Sequence, residues 1–164
     1  MTPQRLYQTA IRPALDELAA VGIPSTPQAG RVLLAIALQE SAIEHRRQVV
    51  AGGAENGPAA SFWQFEQGGG CRGVLTHKGV AGKMAAVCAA YNVLATPAAL
   101  WEAMRYQDIV AAAAARCLLY TLPSKLATTE EEGWAQYLSA WRPGKPHPER
   151  WAAAWQVATK TVGC

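Results

Sequence analysis

Val32-Leu33-Leu34-Ala35-Ile36-Ala37-Leu38-Gln39-Glu40-Ser41 is the stretch on which the fold turns. Seven apolar residues run unbroken and end in an amide, a carboxylate and a hydroxyl. With no Gly or Pro inside, the run predicts a helix buried on all sides rather than an amphipathic surface helix. Such a helix carries its terminal carboxylate to the edge of the core. Partial desolvation there disfavours the charged form and raises the pKa. That is how a general acid is kept protonated near neutral pH. The other reading of the same residues places Glu40 on the first solvated turn beyond the buried part.

The chain around this helix is long enough for one domain with a real core, and 1–164 reads as a single unit. Apolar residues make up 51% and charged residues only 16%, which excludes a disordered chain. Ala is abundant and alternating β-branched runs are few, so a mostly helical protein is expected. A net charge of +3 is too small and scattered to argue for nucleic acid, though it suits an acidic polymer. The cysteines, Cys71, Cys88, Cys117 and Cys164, show no CxxC spacing and no clustered His, so neither a metal nor a cofactor is expected. Cys88 and Cys117 lie in Ala-rich stretches and read as small buried hydrophobes. No stretch is apolar for long enough to span a membrane, and Met1 to Arg5 lacks a signal core. Synthesis in the cytoplasm is the expectation, with delivery to any outside site by other means.

Upstream of the central helix, Thr2-Pro3 reads as a cap and helix start, Pro13 as a kink or a second start, and Ser25-Thr26-Pro27 as the cap that launches the central helix, which is expected to reach about Arg46. Downstream, 52–60 is loop, and the polar–aromatic alternation of Ser61-Phe62-Trp63-Gln64-Phe65-Glu66 predicts a short strand ended by Gly68-Gly69-Gly70, with room for a hairpin after it. Helices are expected over 81–94, from Thr96-Pro97 to about Arg105, over 109–120, from Thr129 to about Trp141, and from Pro148 onward. Glu130, Glu131 and Glu132 place negative charge in a first helical turn, where the helix dipole favours it. The pattern is α+β dominated by α, with a small hairpin or loop insertion after the buried helix.

Glu40-Ser41, the downstream Gly57-Pro58-Ala59-Ala60-Ser61-Phe62-Trp63-Gln64-Phe65-Glu66, and the later Tyr137-Leu138-Ser139-Ala140-Trp141 together resemble the lysozyme-like superfamily. The branch they look like is that of goose-type lysozymes and soluble lytic transglycosylases, in small members encoded by phages or prophages. The resemblance covers roughly residues 28 to 155. It implies a peptidoglycan-cleaving glycosidase acting on the β-1,4 bond after N-acetylmuramic acid. Glu40 falls on the catalytic Glu, Ser41 on the Ser beside it, and Gln64 on the Gln that lines the sugar cleft. Tyr137 corresponds to the Tyr near the catalytic carboxylate, although the family's Tyr-Asn-Ala-Gly is here Tyr137-Leu138-Ser139-Ala140.

Trp63 and Trp141 have the amphipathic rings that stack on sugars, and core packing explains them equally. Glu66 is a cleft candidate or a solvated strand-end acid. Arg142 and Lys145 could meet carboxylates of the wall or be solvated charges. A two-carboxylate enzyme would need Glu55 or Glu66 as its second acid, because no Asp lies between Glu40 and Asp108. That shortage favours the single-carboxylate transglycosylase over the hydrolytic muramidase. The competing expectation is a catalytically inactive phage structural or wall-binding protein of the same fold, in contact with virion proteins. Either way the expected partner is the glycan strand of the bacterial wall, met at lysis or from the virion.

Overall fold

The computed structural model describes residues 1–163 and is mainly helical. The central helix, α3 (Pro27–Ser41), is buried from Ala29 through Ala37 and again at Gln39. Its start follows the expected chemistry: Thr26 is extended, its hydroxyl accepts from Ala29 N, and Pro27 occupies the first turn, where no N–H is needed. Around it stand α1 (Pro3–Leu6) and α2 (Arg12–Ala20), then α4 (Arg72–Thr76), α5 (Ala81–Ala90), α6 (Pro97–Ala103), α7 (Asp108–Tyr120), α8 (Glu130–Trp141) and α9 (Pro148–Val162). The partner that α3 packs against most extensively is α9. The second buried helix is α7, whose Val110 to Cys117 are all inaccessible or nearly so. The buried apolar residues form one continuous cluster, and each fully buried Leu or Ile in it contributes about 1.5–3 kcal/mol of transfer free energy.

Pro13 does not break the first helix. A π-helical turn, Tyr7–Ile11, joins α1 to α2, and Pro13 sits in the first turn of α2. The wider turn absorbs the missing N–H and the ring. Thr96 and Thr129 cap α6 and α8 as expected, and Thr129 with Glu132 closes a full capping box. Helix α5 stops at Ala90, so Leu94 lies outside it and is 74% exposed rather than on a packed face.

Two departures shape the site. Helix α3 ends at Ser41, not near Arg46. Ala42 (φ 50°) and Ile43 (φ 53°) are both left-handed, an unusual conformation for a β-branched residue. The turn is held because Ile43 drops into the core, at 2% exposure, and its N–H donates to the Ser41 hydroxyl. The strand expected over 61–66 is also reassigned. The hairpin pairs β1 (Ala59–Ala60) with β2 (Phe65–Glu66), antiparallel, with Ala60 opposite Phe65, and Arg47 adds a single antiparallel bridge to Ala60. Ser61 to Gln64 is the hairpin turn, with Ser61 (φ 68°) and Gln64 (φ 52°) left-handed. The hairpin therefore precedes the glycines. Those glycines open a second π-helical turn, Gln67–Cys71, which runs into α4. A Cβ at Gly70 would stand 2.6 Å from the Phe65 ring, so this turn closes over β2 only with glycine there.

Helix α8 approaches α9 at Gly133, where a Cβ would stand 2.4 Å from the Trp155 ring and 3.0 Å from Trp151. Both rings are buried. Gly133→Ala is expected to destabilise the fold by about 1–3 kcal/mol through overpacking, despite alanine's better helix propensity. Chemical denaturation checks this; a gain in stability would show that the two helices part freely.

Candidate functional site

The carboxylate end of α3 opens into a cleft of about 1300 Å³. Glu40, Ser41, Gln64 and Glu66 line it from one part of the chain, and Tyr137 and Trp141 line it from α8. Seven of the residues singled out in the sequence were Glu40, Ser41, Trp63, Gln64, Glu66, Tyr137 and Trp141. The fold brings six of them to this cleft and leaves Trp63 beneath it.

Glu40 is half-buried. The Tyr137 hydroxyl donates to its Oε1 at 2.6 Å, across 97 positions of sequence. Burial pushes the Glu40 carboxyl above its ordinary value, and the bond from Tyr137 opposes that rise. The Tyr137 hydroxyl is itself driven up, first by burial and then by the neighbouring carboxylate, so it stays a donor. Its ring is clamped: Trp151 stacks on it at 5.7 Å and 13°, and Trp134 and Trp141 flank it at 5.3 and 6.4 Å. A hydroxyl held by three indoles has little freedom to leave Glu40. Tyr137→Phe removes the donor that favours the ionised form. The high-pH limb of activity, which falls as Glu40 loses its proton, should then shift to higher pH, with any Glu40-dependent rate lowered roughly tenfold by the loss of a charge-assisted bond. A pH–rate profile checks this, and a limb that stays in place would make the Tyr137 contact irrelevant to Glu40.

Ser41 lines the cleft, but its hydroxyl is spent on structure. It lies 2.9 Å from Phe62 O and 3.1 Å from Ala37 O, and accepts from Ile43 N. It ties the end of α3 to the hairpin turn. Gln64 sits on that turn with its Nε2 donating to Ser61 O at 2.7 Å, which leaves its carbonyl oxygen free to accept. Glu66 is exposed on the rim. Trp63 requires a correction. Its side chain is 0% exposed and its Nε1 donates to Leu33 O at 2.9 Å, so it is core under the cleft and offers no face to a ligand. Trp141 does line the cleft, oriented by its Nε1 donating to Trp63 O at 2.8 Å and by an edge-on contact with Phe65.

Of the other acids considered, Glu55 is exposed and bonded to His45 at 2.8 Å, outside the cleft lining. Glu44, on the lining, is also exposed. Asp108 lies in the first turn of α7 and takes a two-pronged ion pair from Arg46, at 2.8 and 2.7 Å. Arg46 in turn covers the Phe62 ring at 4.6 Å, so the loop after α3 is fastened to both α7 and the hairpin. Gln39, whose Nε2 donates to His147 O, Arg47 and Arg150 also line the cleft, and the sequence assigned none of them a role there. Gln39 was hidden as the first polar residue after an apolar run, and Arg150 belongs to no motif.

Among the described residues no group of His, Cys, Asp and Glu is arranged to hold a metal ion, and no helix is long and apolar enough to cross a membrane. Cys71, Cys88 and Cys117 are buried free thiols, with Cys71 and Cys117 pushed up to about 12 by burial. No protein-family model, curated protein or solved structure matches the chain.

Proposed function

We propose that the protein is a peptidoglycan-cleaving glycosidase of the lysozyme-like kind, with Glu40 as its acid and base. The observation that carries this reading is the Glu40 carboxyl, raised by burial at the inner end of a cleft and held by Tyr137 at 2.6 Å. The order of elements agrees: a buried helix ending in Glu40, a hairpin whose turn is tied to that helix end, then further helices that close the cleft. The cleft is large enough for several sugar rings, and Trp141 and Gln64 offer it a ring face and an acceptor.

A protonated Glu40 gives its proton to the glycosidic oxygen as the C1–O bond breaks, leaving an oxocarbenium-like centre. Transglycosylation completes the reaction with one carboxylate. The 6-hydroxyl of the same muramic acid attacks C1, its proton passes to Glu40, and a 1,6-anhydro end results. The cleft's other carboxylates, Glu44 and Glu66, are exposed. This environment suits solvated charges better than a nucleophile, so the transglycosylase is preferred to the muramidase. The site of action that goes with this chemistry is the bacterial wall, reached at host lysis or from a virion.

Mass spectrometry of purified peptidoglycan after incubation tests the reading, with Glu40→Gln in parallel. Anhydromuropeptides absent from the variant digest are expected. Reducing-end muropeptides, also lost in the variant, would replace the transglycosylase with a muramidase. No product from the wild-type protein on several wall types would overturn the enzymatic reading in favour of a wall-binding protein.

A further inference from the structure

Arg47, Arg142, Lys145 and Arg150 all line the cleft. Among the described residues none of them has a carboxylate at salt-bridging distance. Two arginines outside the cleft lining are neutralised by an acid, Arg46 by Asp108 and Arg105 by Glu102, and the four cleft cations have no such partner among the described residues. The acid beside Arg150, Glu149, is bonded to His147 at 3.0 Å. The carboxylates on the same lining are Glu40, Glu44 and Glu66, so fixed cations outnumber fixed anions there even with every acid ionised. Unpaired like charges gathered in a concavity focus a positive field into it and raise the local concentration of anions.

The cations between α8 and α9 are also held in place. Arg142 ends α8 in the left-handed region, at φ 48° and ψ 52°, where glycine is the favoured residue. Its Nε donates to Ser139 O at 3.4 Å, which steadies the stem. Lys145 stands between Pro143 and Pro146, which limit the loop's freedom. Arg150 lies in the first turn of α9. A neutral sugar chain draws little from three such charges. A chain with carboxylates hung along it draws a great deal.

We propose that Arg142, Lys145 and Arg150 bind the free carboxylates of the peptide stems carried by the glycan strand, so that the cleft selects strands with acidic stems over amidated or stem-free ones. This rests on the glycosidase reading above and adds to it the part of the substrate, beyond the sugars, that is recognised.

The test is equilibrium binding to the Glu40→Gln protein, which does not consume its ligand, followed by tryptophan fluorescence. Three soluble glycan fragments of equal length are compared, one with free-acid stems, one with amidated stems and one with stems removed. The acid-stem fragment is expected to bind about tenfold more tightly than the others, the sum of a few exposed ion pairs, with the advantage shrinking as salt rises. Adding Arg142→Gly, Lys145→Ala and Arg150→Ala together should erase the advantage. Arg142→Gly alone should reduce it while leaving the left-handed backbone at ease, which separates lost charge from lost folding. Equal affinity for the three fragments, or a preference that survives the triple replacement, overturns the proposal and leaves the glycosidase reading standing. Failure of all three fragments to bind overturns both.

Discussion

Glu40→Gln is expected to lower glycan cleavage by about two to four orders of magnitude, the usual worth of a positioned general acid. The amide keeps the shape and still accepts from Tyr137, but has no proton to give. The same change should stabilise the fold in a pH-dependent way. Burial raises the Glu40 carboxyl in the folded protein above its ordinary value of 4.5. Between the unfolded and folded values the folded chain holds a proton that the unfolded chain has lost. Stability therefore falls as pH rises through that window, and the full penalty stands above it. Gln pays no such penalty. The variant should equal the wild type below the window and exceed it above, by on the order of 1 kcal/mol, as when a strained functional group is removed. Thermal unfolding on both sides of the window reads this directly. Identical curves at every pH would mean that Glu40 is as well solvated in the fold as outside it.

What the sequence made legible was local chemistry. Thr2, Thr26, Thr96 and Thr129 each accept from a backbone N–H of the first turn, and a threonine before Pro or a Glu cluster can be read from neighbouring letters alone. The buried run of α3 was legible for the same reason. Its end was not. Nothing in Ala42-Ile43-Glu44-His45 breaks a helix, and the turn there exists because Ser41 reaches Phe62 O across 21 positions while Ile43 finds the core. The hairpin failed in the same way: alternation in Ser61 to Glu66 imitates a strand, while long-range bonds from the Ser41 hydroxyl to Phe62 O and from Trp63 Nε1 to Leu33 O hold Ser61 to Gln64 as a turn. At the site, Glu40 could be picked out by its place on a buried helix. The 2.6 Å contact with Tyr137 depends on how α3, α8 and α9 pack, and no local pattern encodes it. Trp63 misled because an aromatic beside Gln64 looks like a sugar platform until the turn rotates it inward.

Trp63→Ala carries the largest expected stability loss, about 3–5 kcal/mol, the usual cost of truncating a large buried aromatic side chain. That is a large share of the 5–15 kcal/mol typical of a whole domain. The indole is fully buried and bonded to Leu33 O in the middle of α3, so its removal empties space beside the central buried helix. Its backbone carbonyl holds Trp141, and the turn that bears it holds Gln64. Loosening this residue therefore loosens two cleft positions at once. Trp141→Ala separates the two effects. Trp141 is only half-buried, so its removal should cost less stability while still stripping a ring from the cleft. Denaturation midpoints together with glycan binding distinguish the pair: Trp63→Ala should lose far more stability, and Trp141→Ala should lose binding out of proportion to its stability. If Trp63→Ala unfolds no more easily than Trp141→Ala, the hairpin turn is not anchored through the indole, and the placement of the cleft wall must rest on Ser41 and the Arg46–Asp108 pair alone.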